Sequence, residues 1–126
     1  MTMNTTETGV SLHVTDELYT ITKGSSVAVA AAALVIPVTH NYVAKTTGGS
    51  AEALTLANGK PGQILTVSLV VDGGGAGTIT PATSSGFATI VLADAGDTVT
   101  FKYLDDTVGW IIMGTTGVSG EPVITI

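Results

Sequence analysis

The chain has 126 residues, 44% of them hydrophobic and only 11% charged, and ten acidic side chains against four basic ones give a net charge of −6. That length suits one domain with its own core, and the absence of cysteine removes disulfides and thiolate metal sites. The four cations are all lysines, Lys23, Lys45, Lys60 and Lys102, so the Arg-bearing basic stripe of a nucleic-acid binder is missing and no nucleic acid is expected as a ligand.

In chain order, Met1 to Thr8 is polar and Thr-rich, without the basic and apolar regions of a secretory signal. Residues 1–9 are therefore expected to form an extended N-terminal arm, and residues 10–126 a β-sandwich domain. Val10-Ser11-Leu12-His13-Val14 alternates as a strand does, Thr15-Asp16 offers a turn, and Leu18-Tyr19-Thr20-Ile21-Thr22 resumes the alternation. Lys23-Gly24-Ser25-Ser26 breaks it. The apolar run Val27 to Val38 contains Pro37 and falls short of the about 20 residues that a helix needs to cross a bilayer, so no membrane contact is expected. Within it, Ala28 to Leu34 is the one place where a helix could start, but the run is short and meets Pro37. The expected reading is strand over Val27 to Ala30, a tight bend or buried strand at the alanines, and one long strand from Leu34 to Lys45.

Thr46 to Ser50 is a loop, Ala53 to Leu56 a short strand, and Asn58-Gly59-Lys60-Pro61-Gly62 a double turn. The clearest strand follows, with Leu65, Val67, Leu69 and Val71 on one face. Asp72-Gly73-Gly74-Gly75 ends it. Thr78 to Thr80 stops at Pro81, and Ala88 to Leu92 is closed by Asp94-Ala95-Gly96-Asp97. Val99, Phe101 and Tyr103 then share a face, Asp105-Asp106 turns the chain, and Val108, Trp110 and Ile112 alternate back. Gly114 to Gly120 reads as a loop and Val123 to Ile126 as a last strand. Roughly eight to ten short strands separated by turn residues predict an all-β fold. An antiparallel β-sandwich, jelly-roll-like or a related Greek key, buries one apolar face per sheet.

The charged fraction lies well below the globular average of about 25%. A surface so poor in charge suits contact with other protein, although stable sandwiches share the trait. Asp94, Asp97, Asp105 and Asp106 all fall at turns, where Asp caps its own backbone; the spaced carboxylates of a calcium loop are absent. A glycosidase pair would need a groove between apposed carboxylates. His13 and His40 lack ligand spacing, no nucleophile elbow accompanies them, and a hydrolase would require a cleft in which one of them meets an acid. Asp72-Gly73-Gly74-Gly75-Ala76-Gly77 is followed by a strand, not by the helix that phosphate-binding glycines need, so these glycines are expected to turn the chain through positive φ. Trp110, flanked by alternating apolar residues, is expected in the core. No catalytic, cofactor-binding or metal-binding residue is assigned, and no enzyme activity is expected.

Leu54-Thr55-Leu56-Ala57-Asn58-Gly59-Lys60-Pro61-Gly62-Gln63-Ile64-Leu65-Thr66-Val67, Asp72 to Ala82, Asp94 to Phe101 and Val108 to Gly114 together resemble stretches of small structural proteins of tailed bacteriophages. The resemblance covers about residues 33–118, rests on the spacing of turns and strands, and leaves residues 1–32 uncovered. It implies a virion protein, specifically a capsid decoration (cement) protein on the outer surface of the phage head. Its partner would be the major capsid protein, and it would form a homo-oligomer, a trimer ahead of a dimer. The alternative it implies is a tail fibre or receptor-binding domain. Under the first reading, the N-terminal arm is expected to add as a strand to a neighbour's sheet edge.

Overall fold

The computed structural model describes residues 25–118 and 120–126. The expected arm (residues 1–9), the strand-like segments 10–14 and 18–22, and His13 therefore lie outside the described residues. The rest is all-β. Ten strands carry it: β1 (Ser26–Val29), β2 (Val35–Ile36), β3 (Tyr42–Thr46), β4 (Glu52–Leu56), β5 (Ile64–Val71), β6 (Gly77–Pro81), β7 (Thr89–Leu92), β8 (Thr98–Tyr103), β9 (Trp110–Thr116) and β10 (Val123–Thr125). They form two five-stranded sheets, here called A, in the order β1-β3-β5-β8-β9, and B, in the order β10-β7-β6-β4-β2. The expected sandwich is present.

Its winding differs from the expected one. β1, β3 and β5 pair in parallel in sheet A, as do β2, β4 and β6 in sheet B. From β1 to β6 the chain thus crosses to the opposite sheet after every strand, laying down a flattened coil. The later strands reverse: β7 pairs antiparallel with β6, β8 with β5, β9 with β8, and β10 with β7. Both sheets are therefore mixed, and the first half has neither the antiparallel pairing nor the hairpins of a jelly roll. Alternation records which face a residue takes and carries no information about the direction of the neighbouring strand.

The same crossing corrects the long strand expected over Leu34 to Lys45. Pro37 cannot donate to a ladder, and there the chain leaves sheet B after β2 and re-enters sheet A at β3. The alanine run makes the preceding crossing. Ala33 N–H donates to Ala30 O at 3.1 Å and Ala32 takes φ 66°, a tight turn and not a helix. Another boundary also moves: β9 runs on to Thr116, into the segment that reads as a loop from Gly114.

Between the sheets lies one core. Val43, Leu65, Val67, Leu69, Val99, Phe101 and Tyr103 point into it from sheet A, and Leu54, Leu56, Ile79, Ile90 and Leu92 from sheet B, each essentially buried. Period-two alternation puts them there. At one end Trp110 packs edge-on against Phe101 and Tyr103, with ring centroids 6.0 and 5.1 Å apart, and Phe87 stacks on Phe101 at 5.9 Å. The indole N–H of Trp110 reaches Ala57 O at 2.9 Å, which satisfies its one donor inside the core. Trp110 is a core residue, as its flanking alternation indicates.

The glycine cluster after β5 turns for two separate reasons. Gly74 takes φ 116°, the conformation that favours glycine. Gly73 and Gly75 have no such φ; a Cβ on either would collide with backbone of the β3–β4 loop, at Thr47 O and Ser50 O respectively. Two successive coils touch there backbone to backbone, and Gly75 N–H donates to Gly48 O at 2.9 Å.

Candidate docking surface

Register turns the separate alternations into surfaces. On the outer face of sheet B, Ala53, Thr78, Val91 and Val123 line up across four strands. In the next row Val35 adjoins Thr55 and Thr55 adjoins Thr80, with Thr89 beside Thr125. Every outward position of this sheet is therefore Thr, Val or Ala. None carries a charge. Val35 is 64% exposed and Val123 43%.

The outer face of sheet A is built alike. One row runs Ala28, Ala44, Ser68, Thr98, Thr116, and the next Ser26, Tyr42, Thr66, Thr100, Gly114. Hydroxyls pair within these rows: Ser68 Oγ lies 2.7 Å from Thr98 Oγ1, and Thr66 Oγ1 3.0 Å from Thr100 Oγ1. Each pair satisfies part of its own hydrogen-bonding capacity, which lowers the cost of taking it out of water. Lys102 is the face's one charged residue, beside Ile64 and Ile111.

Apart from the buried Lys45 and Glu52, the remaining charge among the described residues sits in the loops, and the turn aspartates Asp72, Asp97 and Asp105 are occupied by the backbone. Asp97 Oδ2 accepts the N–H groups of Ala93 and Asp94 at 2.9 and 3.0 Å, and its Oδ1 that of Val118 at 3.3 Å. Asp105 Oδ1 accepts from Thr107 and Val108 at 2.9 and 2.7 Å, and Asp72 Oδ1 from Gly74 at 2.8 Å. Asp106 accepts the Tyr103 hydroxyl. Asp94 contributes its carbonyl, which receives Asp97 N–H at 2.9 Å. Turn chemistry is thus what these residues do. Among the described residues no three His, Asp or Glu side chains gather as a metal site would require, and no helix is long and apolar enough to cross a membrane.

One ionic cluster lies inside, and sequence reasoning missed it. Lys45 shares the inward face of β3 with Val43 and is fully buried; Glu52, at the start of β4, is 7% exposed. Lys45 Nζ contacts Glu52 Oε1 at 2.7 Å and donates to Ala30 O at 2.9 Å and Ala33 O at 2.7 Å. Glu52 Oε2 accepts the N–H groups of Gly48 at 2.8 Å and Ala32 at 3.1 Å. The hydrogen bond from Lys45, with those from the two backbone N–H groups, pulls the Glu52 carboxyl down to about 2 against the opposing effect of burial. Lys45 uses its three donors on three oxygens, so the cluster is internally complete. It clamps the alanine turn to β3 and β4 and offers nothing to a substrate.

A groove of about 640 Å³ opens beside the start of β5, lined by Val38, His40, Lys60, Pro61, Gln63 and Ile64 among others. His40 Nδ1 lies 2.9 Å from Thr39 Oγ1, and Gln63 is committed to Val38 O and Lys60 N–H at 2.7 and 2.9 Å. No carboxylate lines the groove, so a His–acid pair is not assembled there. No protein-family model matches the chain, and neither does any curated protein.

Proposed function

We propose that the chain is a non-catalytic virion structural protein, a capsid decoration (cement) protein that binds the outer surface of the assembled phage head and stabilises it. The observation that carries the docking part of this reading is the outer face of sheet B, where five strands present only Thr, Val and Ala. In a chain of net charge −6, a wide face without a single ionic group buries against protein at little desolvation cost. The phage head as destination rests on the resemblance carried by residues 33–118.

Five strands at about 4.8 Å and five residues at about 3.3 Å would make a face of roughly 24 by 17 Å, or about 400 Å², an upper value for sheet B, whose β2 and β10 have two and three residues. A standard interface takes about 800 Å² from each partner. One face alone is thus a modest contact, about half the usual size. The homo-oligomer, a trimer ahead of a dimer, and the major capsid protein as partner rest on the same resemblance; in this reading one face lies between copies and the other on the shell, each a small contact. Many copies that bind only the assembled shell then stabilise it by mass action and multivalency.

The alternative, a tail fibre or receptor-binding domain, calls for exposed rings over which a glycan can stack. Phe87, Phe101, Tyr103 and Trp110 are all buried, and the half-buried Tyr42 is the remaining aromatic among the described residues. That favours the decoration reading. Co-sedimentation with expanded empty capsids tests it: the purified protein is expected in the pellet at saturable stoichiometry. A soluble protein at micromolar excess, together with a saturable hit on a glycan array, would replace it with the alternative.

A further inference from the structure

The two ends of β5 differ in chemistry. At its start, the groove of about 640 Å³ has an apolar wall of Val38, Pro61 and Ile64 and holds Lys60 and His40 but no carboxylate. Ile64 is 42% exposed. Lys60 is exposed as well, and its ammonium group is unpaired: among the described residues, Lys45 with Glu52 is the one ion pair. Asp105 and Asp106, in the turn at the same end, do not line the groove and are committed to backbone N–H groups and to the Tyr103 hydroxyl.

The other end lies about 25 Å away, the length of an eight-residue strand. There the ladder between β5 and β8 stops at Ser68 and Thr98, and Val70, Val71 and Asp72 run on past it. Val70 is 43% exposed and Val71 52%. Asp72 Oδ1 caps Gly74 N–H at 2.8 Å, and the carboxylate meets no cation. The neighbouring loops from β7 to β8 and from β9 to β10 add Asp94, Asp97 and Glu121 and no lysine. One end of the strand is thus an acid on an aliphatic tip, and the other a cation in an aliphatic groove. A single strand holds the two apart, so they cannot meet within one chain. Between copies they can. Each copy has a net charge of −6, so contact between copies is opposed by like charge, and the groove is a place where an acidic tip meets a cation. One outer face supplies about half of a usual interface, which leaves room for a further contact.

We propose that the tip Val70-Val71-Asp72 of one copy docks in the groove of a second copy, the valines against Val38, Pro61 and Ile64 and the Asp72 carboxylate on the Lys60 ammonium. Tip and groove are different patches, so the contact is heterologous and its repetition closes a ring or runs on as a filament. A closed ring of three copies is the form that fits the proposed trimer. The inference rests on the homo-oligomer of that reading and names the contact that builds it.

Sedimentation velocity of the full chain, without capsids, tests it. Lys60→Asp and Asp72→Lys are each expected to weaken self-association at least tenfold, and the double variant, with the charges exchanged, to recover most of the loss. Asp72→Asn keeps an oxygen for the Gly74 cap and removes the charge; it is expected to weaken association with the thermal midpoint unchanged, which separates loss of the contact from loss of the turn. A wild type that stays monomeric at 100 μM, single variants that associate like wild type, or a double variant no better than the singles would each overturn the contact. Co-sedimentation of the wild type with capsids is read alongside. A monomer that still pellets rejects this contact and leaves shell binding standing, whereas an oligomer left in the supernatant does the reverse.

Discussion

Lys45 and Glu52 set the local terms of stability because each is buried with the other as its counter-ion. Glu52 is held at about 2 against an ordinary value near 4.5. The unfolded chain therefore binds the proton first as pH falls. The contribution is complete above about 4.5 and disappears on the way down to about 2. The thermal midpoint is expected to fall through that window, and Glu52→Gln to flatten that part of the profile. Lys45→Met alone leaves a buried carboxylate without its partner, so it should destabilise more than Lys45→Met combined with Glu52→Met; urea unfolding of the three proteins checks the order. Tyr103 behaves oppositely at the alkaline end. Burial first, then the hydrogen bond to Asp106 and the charges of Asp106 and Asp105, push its hydroxyl up to about 12 from 10. Its contribution is full below 10 and lost as pH climbs toward 12, and Tyr103→Phe should remove that alkaline step.

At the level of elements, the sequence disclosed faces well and neighbours poorly. Leu65, Val67 and Leu69, and again Val99, Phe101 and Tyr103, alternate in the sequence as they do in the fold. The turn aspartates were equally legible, because an Asp caps backbone within three or four residues of itself. Parallel pairing of β1 through β6 was not legible, since a strand's alternation is the same whichever way its neighbour runs. Lys45 was hidden for a related reason. It alternates in step with Val43, yet its partners are carbonyls of residues 30 and 33 and a carboxylate on β4, which only the coil brings together. The docking rows likewise needed register before scattered threonines became a face. The coil's tight crossings give a clean comparison. Gly62→Ala meets open space at φ 90° and should cost about 1–2 kcal/mol of strain. Gly75→Ala drives a Cβ into Ser50 backbone and should cost clearly more, read as the larger fall in urea midpoint.

For the whole molecule, the distribution of charge decides the reading. Among the described residues Glu52 and Lys45 are folded inward, Asp72, Asp94, Asp105, Asp106 and Glu121 lie between strands, the outer face of sheet B is left to hydroxyl and methyl groups, and that of sheet A carries Lys102 as its one charge. The proposed docking function rests on this arrangement, since a face with few ionic groups buries against protein at little desolvation cost. Placing a charge at its centre is a direct probe, because Thr55 and Thr80 are outward and exposed and their substitution should change folding stability by no more than about 0.5 kcal/mol. The most direct measurement is co-sedimentation of wild-type protein and of Thr55→Lys with Thr80→Lys against expanded capsids, alongside sedimentation velocity of each protein alone. The account predicts that two unpaired ammonium groups in the face weaken shell binding or self-association at least tenfold with the fold intact. Unchanged shell occupancy together with an unchanged oligomer would contradict it.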